Sequence, residues 1–207
     1  MISPLPFFHI YGMTVSILHT AWNGNPVITM SGRFDFETFL KLVDEHKPDR
    51  AHLVPPIMVG LAKHPLVDQY DTSSIKCIIS AAAPLGLETQ KAVEERLKGN
   101  CVVKQAWGMS ELSPIGTCNT DSGTKPASVG PVVSNTYGKI IDDEGKSLPA
   151  YEPGELVLKG PQVMMVRSLI ICEFRLQNQP HPLKMRYNRC SSANEFCSSL
   201  VLPTIQL

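Results

Sequence analysis

Two short segments of the chain gather residue types suited to a phosphorylated, ring-bearing ligand. In Trp107-Gly108-Met109-Ser110-Glu111, Gly108 permits a close backbone approach or an unusual dihedral. Ser110 adds a hydroxyl and Glu111 a carboxylate. Beside a phosphate these hard oxygens suit Mg²⁺, which takes few protein ligands and fills its shell with phosphate and water. A strand end closed by a capping Ser-x-Glu would use the same residues. The second segment is Ser80-Ala81-Ala82-Ala83-Pro84-Leu85-Gly86. Its small side chains let a flat ring or a phosphate reach the backbone, and the helix that follows offers free N–H groups and a positive dipole end. Tight packing of a strand against a helix asks for the same small residues. In Phe8-His9-Ile10-Tyr11-Gly12 a neutral imidazole stands among aromatics. A lone histidine is usually a surface or satisfied residue; the functional reading is an imidazole at a pocket mouth.

Such loops meet only if the elements beneath them bring them to one place. Met13 to Trp22 reads as a helix, Val27 to Met30 as a short buried strand. A clear amphipathic helix follows: Asp35 can cap it, and Phe36, Phe39, Leu40 and Val43 fall at i, i+3, i+4 and i+7. Pro48 stops it. Ala51 to Val54 reads as a strand, and Pro56 fits the first turn of a helix that runs to about residue 64. Ile75 to Ser80 is a strand, Leu87 to Lys98 a helix ended by Gly99-Asn100, and Val102 to Ala106 a strand. Repeated strand-then-helix steps with short connections predict an α/β fold, a parallel sheet with helices on both faces. Open sheets of this kind bind ligands at the carboxyl ends of their strands, where both loops would lie. From about residue 128 the texture changes. Tyr137 to Asp142 and Glu155 to Lys159 read as strands around the turn Asp143-Glu144-Gly145-Lys146, the start of a small β-barrel-like unit. Residues 166–207 show no clean periodicity and receive no fold. The expected organisation is an α/β subdomain over 1–127, a β unit of the same domain over 128–165, and a tail over 166–207 that is disordered or read-through.

Composition narrows the function classes. Hydrophobic residues make up 43% and charged residues 18%, which argues for a packed globular chain rather than disorder. Nineteen basic residues balance nineteen acidic ones, so nothing marks a nucleic-acid partner or an anionic membrane. No apolar run reaches the ~18 residues of a membrane span. Met1-Ile2-Ser3-Pro4-Leu5-Pro6 lacks the features of a signal peptide, and Ile205-Gln206-Leu207 does not match a peroxisomal address. The expected location is the cytoplasm, with the peroxisome open to a full-length protein. Cys77, Cys101, Cys118, Cys172, Cys190 and Cys197 form no C-x-x-C pair and read as free thiols.

Taken in order, the segments resemble one family. They are Pro6 to Gly12; Val54-Pro55-Pro56-Ile57; Tyr70 to Ile75; Ser80 to Gly86; Gln105 to Glu111; Ser128-Val129-Gly130-Pro131; and Pro153 to Met164. Over roughly residues 4–165 the chain resembles the adenylate-forming (AMP-binding) superfamily, of the 4-coumarate–CoA ligase or acyl-CoA synthetase type. The resemblance implies activation of a carboxylic acid, a phenylpropanoid or a fatty acid, with ATP and Mg²⁺, and transfer of the acyl group to coenzyme A. It implies that His9 stands at the mouth of the acyl pocket, lined by Tyr11, Val15, Ala81, Pro114 and Ile115. It implies that Ala81, Ala82, Ala83 and Pro84 pack on adenine, with Trp107 stacked there and Gly108, Met109 and Ser110 continuing the nucleotide wall. Glu111 matches the Mg²⁺-binding carboxylate, and His9, Ser110 and Glu111 are the expected catalytic set.

Three positions depart from the family pattern. Trp107 stands where tyrosine is usual, Ser110 where threonine is common, and Ala81 where glycine is common. The family's phosphate loop, ending in Pro-Lys-Gly, and its ribose-gripping Thr-Gly-Asp segment are not in these residues. After Met165 the family continues Gly-Tyr and this chain Val166-Arg167, so residues 166–207 are expected to be read-through of non-coding sequence. The expected function is therefore a fragment of an acid–CoA ligase, inactive as this chain. The alternatives are a non-catalytic remnant and a ligand-binding α/β module.

Overall fold

Each element of the chain starts and stops for a local reason. The computed structural model describes residues 1–97, 101–121, 128–150 and 152–164, and the backbone of 186–187 and 199–202. Helix α1 runs Gly12–His19 with the wide winding of a π-helix and continues as an α-helical turn, Thr20–Trp22. Its entry is tight, because a Cβ on Gly12 would lie 2.3 Å from the Pro6 carbonyl oxygen. Helix α2 (Phe36–His46) begins where Asp35 accepts a hydrogen bond from Thr38 N–H at 2.7 Å. It ends one residue before Pro48, at Lys47 in the left-handed region (φ 46°). Strand β1 is Arg50–Leu53, and α3 (Pro55–Lys63) carries prolines in its first turn, where a missing N–H costs nothing. Strand β2 (Cys77–Ser80), helix α4 (Leu87–Arg96), strand β3 (Val102–Gly108) and strand β4 (Ile115–Cys118) complete this layer.

Strands β1, β2 and β3 are parallel, in a register that runs from Arg50–Cys77–Val102 to Leu53–Ser80–Gln105. Strand β4 pairs antiparallel with β3. Ile2 bridges in parallel to both Ala51 and Ile28, so the N-terminal residues add a row beside β1. Alternation sends Ala51, Leu53, Ile78 and Val103 to one face. There α2, α3 and α4 bury them in a single core around Phe39, Leu40, Met58, Leu61 and Val93. His52, Ile79 and Lys104 stand on the opposite face. Helix α1 covers that face and is fastened by polar contacts. Ser16 Oγ lies 2.7 Å from Ser3 Oγ, and Tyr11 meets His52 just ahead of the first turn. The apolar residues Met13, Ile17, Leu18 and Trp22 of α1 stay exposed, as does Phe8.

Strands β5 (Tyr137–Ile141) and β6 (Glu155–Lys159) form an antiparallel pair. The turn after β5 is closed by Asp142, whose Oδ1 accepts from the N–H groups of Glu144 and Lys146, with Gly145 at φ 82°. Backbone strands β7 (Arg186–Tyr187) and β8 (Ser199–Leu202) extend the sheet in the order β5-β6-β8-β7. This sheet is open, and no closed barrel forms among the described residues. Leu158 and Val163 pack on Leu112, which joins the sheet to the turn that follows β3.

The predicted strand Val27–Met30 reduces to one bridging residue. Ile28 exchanges 2.9 Å hydrogen bonds with Met1 and Ser3 at the edge of the sheet, and pairing goes no further. Strand β2 begins at Cys77 rather than Ile75, although Ile75 is fully buried. Strand β4 has no counterpart among the predicted elements. The expected helix stop at Gly99-Asn100 and the thiols of Cys172, Cys190 and Cys197 lie outside the described residues, as does most of the tail over 166–207. Cys77, Cys101 and Cys118 are free thiols, as expected. Burial pushes the Cys101 thiol up to about 12, so it is an inert core residue. No helix of the described residues is long and apolar enough to cross a membrane.

Candidate functional site

Ser80 and Gln105 are register partners on adjacent parallel strands, so residues 81–86 and 108–114 leave the sheet at the same carboxyl edge. One side chain binds the first of these loops to the second strand. Gln105 Oε1 accepts from Leu85 N–H at 3.2 Å, and Gln105 Nε2 donates to the Leu85 carbonyl at 3.3 Å. Leu85 is buried, while Ala82, Ala83 and Pro84 are exposed and Ala81 is half-buried. The turn therefore shows its backbone and small methyls to solvent. Ala82 sits at φ 75°, a left-handed conformation that costs an L-residue about 1 kcal/mol or more.

The second loop folds back on its own strand. A Cβ on Gly108 would stand 1.9 Å from the Pro114 carbonyl oxygen, so only glycine lets the backbones approach this closely. Half-buried Trp107 lies over Gly116, with Cζ3 2.8 Å from where a Cβ there would be. With Met109 it packs against Leu112 and the Leu158–Val163 cluster. Ser110 is exposed and Glu111 half-buried in one 3₁₀ turn, Ser110–Leu112, pinned by a 2.9 Å bond from Met164 N–H to the Glu111 carbonyl. Among the described residues no three His, Cys, Asp or Glu side chains converge on a metal position. One carboxylate and one hydroxyl fit Mg²⁺ in company with phosphate oxygens, not as a cage built by protein alone.

Tyr11 and Val15 belong to α1 and its entry, over the face opposite the main core. Val15 is half-buried. Tyr11 is buried, and its hydroxyl is 2.5 Å from Nδ1 of buried His52, with the ring centroids 5.7 Å apart. Burial holds the Tyr11 phenol above its ordinary pKa, with the Cys118 and Cys77 thiols adding to the effect. Burial pushes His52 down to about 4, reinforced by His19, the N-terminal amine and Arg50. Both groups are therefore neutral at pH 7. The tautomer of His52 sets the direction of the bond: with the ring proton on Nε2 the phenol donates to Nδ1, and with it on Nδ1 the ring donates to the phenol oxygen. His9 is exposed, and its Nδ1 accepts from Tyr11 N–H at 3.1 Å, which ties the ring to its own turn. Pro114 is buried, and Ile115 opens β4 opposite Gly108.

Two features of this region were not singled out from sequence. His52 is one. The other is Lys104, the one Lys, Arg, Asp or Glu among the buried described residues, paired with the exposed carboxylate of Asp121. The signal for both was an ionisable residue at an inward position of a predicted strand.

A family model described as AMP-binding enzyme matches residues 1–166. The chain belongs to this family. Among curated relatives of this AMP-binding chain, the probable 4-coumarate–CoA ligase 3 of Dictyostelium discoideum is 38% identical over 166 residues, 80% of this chain and 30% of that protein. The 4-coumarate–CoA ligase 5 of Oryza sativa subsp. japonica is 40% identical over 166 residues, 77% of this chain and 30% of that protein. The chain thus spans about 30% of the length of the curated relatives it matches. Among solved structures, the anthranilate CoA ligase AuaEII in complex with anthranoyl-AMP superposes with a TM-score of 0.71 at 21% identity, over 78% of this chain and 31% of that one. O-succinylbenzoate coenzyme A synthetase of Bacillus subtilis, in complex with ATP and magnesium ion, superposes with a TM-score of 0.68 at 25% identity, over 80% of this chain and 33% of that one. The α/β layer of the chain has the fold of the adenylate-forming domain.

Proposed function

We propose that the chain is a portion of an ATP-dependent acid–CoA ligase. In that reaction a carboxylate oxygen attacks the α-phosphorus of ATP and pyrophosphate leaves, forming an acyl-adenylate. The thiol of coenzyme A then attacks the acyl carbon and releases AMP. Supporting this reading is the shared edge of the sheet, where the turn 81–84 and the loop from Trp107 to Glu111 emerge from strands in register, together with relatives named as CoA ligases.

On this reading Ala81, Ala82, Ala83 and Pro84 lie against adenine, Trp107 stacks on it, and Gly108, Met109 and Ser110 form the adjoining wall. Glu111, with Ser110 nearby, would hold Mg²⁺, which supplies neutralisation of phosphate charge. His9, Tyr11, Val15, Ala81, Pro114 and Ile115 border the acid. The acid is an apolar-tailed one, an aryl-propenoic or a fatty acid, and one methyl at Ala81 discriminates by only ~1–3 kcal/mol. The family match ends at residue 166, which supports a boundary there. The reading divides the chain into an α/β subdomain over 1–127, a β unit over 128–165 and a non-homologous tail over 166–207, in a cytoplasmic protein. By itself the chain performs no adenylation, since its 207 residues contain neither the phosphate loop nor the Thr-Gly-Asp segment.

Trp107 provides the test. Trp22 is 90% exposed and is the one other tryptophan, so a Trp22→Phe background isolates Trp107 fluorescence. ATP with Mg²⁺ is expected to quench it, and Glu111→Gln to remove the magnesium-dependent part. No quenching at millimolar ATP rules out the nucleotide site. Pyrophosphate exchange by this chain with any carboxylic acid would overturn the statement that it is inactive.

A further inference from the structure

The sheet face beneath α1 carries a buried polar pair that the ligase reaction does not call for. His52 sits on β1 at a position where its strand neighbours alternate into an apolar core, and it points instead toward α1. Its one described side-chain partner is the Tyr11 hydroxyl, at 2.5 Å from Nδ1. Tyr11 and His52 are 8% and 6% exposed, so water does not compete for the bond. The tautomer sets its direction: with the ring proton on Nε2, Nδ1 accepts and the phenol donates. A phenol whose hydrogen points at β1 cannot aim it at a molecule lying beside its ring. What Tyr11 then offers to a neighbouring ligand is the flat apolar side of the ring.

We propose that His52, with its ring proton on Nε2, is a positioning residue for the acid site: its Nδ1 holds the Tyr11 hydroxyl against the sheet, so that this wall accepts an apolar aryl or alkyl tail and offers no hydrogen bond to a hydroxylated one. The inference rests on the reading of Tyr11 as part of the acid pocket. It goes beyond that reading in assigning a role to a residue on another element, 41 positions away in the chain. Without the acceptor, the phenol hydrogen turns loose in a buried space. The wall becomes polar and unsatisfied when an apolar tail is bound, and becomes a donor when a hydroxylated tail is bound. The two ligand types therefore respond in opposite directions, which simple loosening of the fold does not produce.

The experiment compares two probes on this chain, 3-phenylpropenoic acid and its para-hydroxy form, with equilibrium affinities read by ligand-detected NMR. His52→Leu is expected to weaken the unsubstituted acid at least fivefold and to move the affinity ratio toward the hydroxylated acid. His52→Gln, which restores an acceptor, is expected to recover most of the loss. In a Tyr11→Phe background, His52→Leu is expected to leave the affinity ratio of the two acids unchanged. Independently of any ligand, nitrogen NMR of the unaltered chain is expected to show His52 protonated on Nε2 alone at pH 7. A proton on Nδ1 overturns the proposal even if His52→Leu does not fold. Equal losses for both acids, or a full effect of His52→Leu in the Tyr11→Phe background, overturn it as well. If the unaltered chain binds neither acid, the acid-pocket reading fails and takes this role with it. If it binds both and His52 makes no difference, only the role assigned to His52 fails.

Discussion

Gln105 grips both backbone groups of Leu85, accepting from its N–H at 3.2 Å and donating to its carbonyl at 3.3 Å, while the same Nε2 reaches Gln90 Oε1 at 3.4 Å. One amide on β3 thereby sets the path of the small-residue turn that leaves β2. Removing it leaves a buried N–H and a buried carbonyl unpaired, at about 1–3 kcal/mol for each group. Gln105→Ala is expected to destabilise the chain by about 3 kcal/mol in urea titration. Amide exchange at residues 82–86 is expected to accelerate beyond that global loss. Unchanged exchange there would show that the turn holds its shape without Gln105.

Ala82 gives a prediction of the opposite sign. At φ 75° it bears left-handed strain that glycine would not, and it is exposed, so its methyl packs little. Ala82→Gly is expected to raise stability by about 0.5–1 kcal/mol despite the extra freedom of glycine in the unfolded chain. The same change at Ala83, which does not have positive φ, is expected to lower it by a similar amount. Thermal melts of the two single variants, side by side, separate strain relief from a general effect of glycine.

Gly108→Ala is expected to be severe. Its Cβ would fall 1.9 Å from the Pro114 carbonyl oxygen and 2.8 Å from the Ile115 Cα, both backbone atoms with little room to yield. The β3–β4 hairpin must open to admit it. A loss on the order of 3–5 kcal/mol follows for a steric conflict of this kind. A melting temperature within a few degrees of the unaltered chain would show that the loop from Gly108 to Pro114 has another arrangement available.

His52 makes stability depend on pH. Its ordinary value of 6.5 applies to the unfolded chain, and burial takes it to about 4 in the folded one. Between these values the unfolded state binds more protons, so the stabilisation is fully present above pH 6.5 and is lost as pH falls toward 4. The groups facing it, His19, the N-terminal amine and Arg50, are cationic when charged and act in the same direction, while Tyr11 stays neutral throughout. The loss is about 3 kcal/mol in all. Urea midpoints measured from pH 7 to pH 4 are expected to fall in the unaltered chain and to fall much less in His52→Gln. Parallel curves for the two would place the acid sensitivity elsewhere.

Local chemistry made much of the fold legible. Asp35 caps α2, prolines open α3, and Glu155 to Lys159 forms the predicted strand, each decided by residues within one turn or one pleat of each other. The common edge of the two loops was legible as well, because parallel strands joined by helices leave little choice of end. Strand β4 was not. Its sequence, Ile-Gly-Thr-Cys, lacks strand patterning, and it forms because Gly108 and Gly116 let the chain double back beside Trp107. Nor were the pairings of Tyr11 with His52 and of Lys104 with Asp121, which join residues 41 and 17 positions apart. Periodicity marks where a side chain points and cannot say which distant group will be waiting for it.

The polar fastening of α1 also governs what kind of displacement the helix can undergo. A helix seated on hydrocarbon alone tolerates creep of an ångström or rotation of a few degrees, since dispersion is nearly directionless. The Ser3–Ser16 and Tyr11–His52 links are directional and sit five residues apart, one on α1 and one at its entry. Any shift lengthens one or both, so the helix is indexed to the strands like a toothed part and not merely pressed against them. Its bare outward row of Met13, Ile17 and Trp22 is accordingly presented at one fixed height and azimuth.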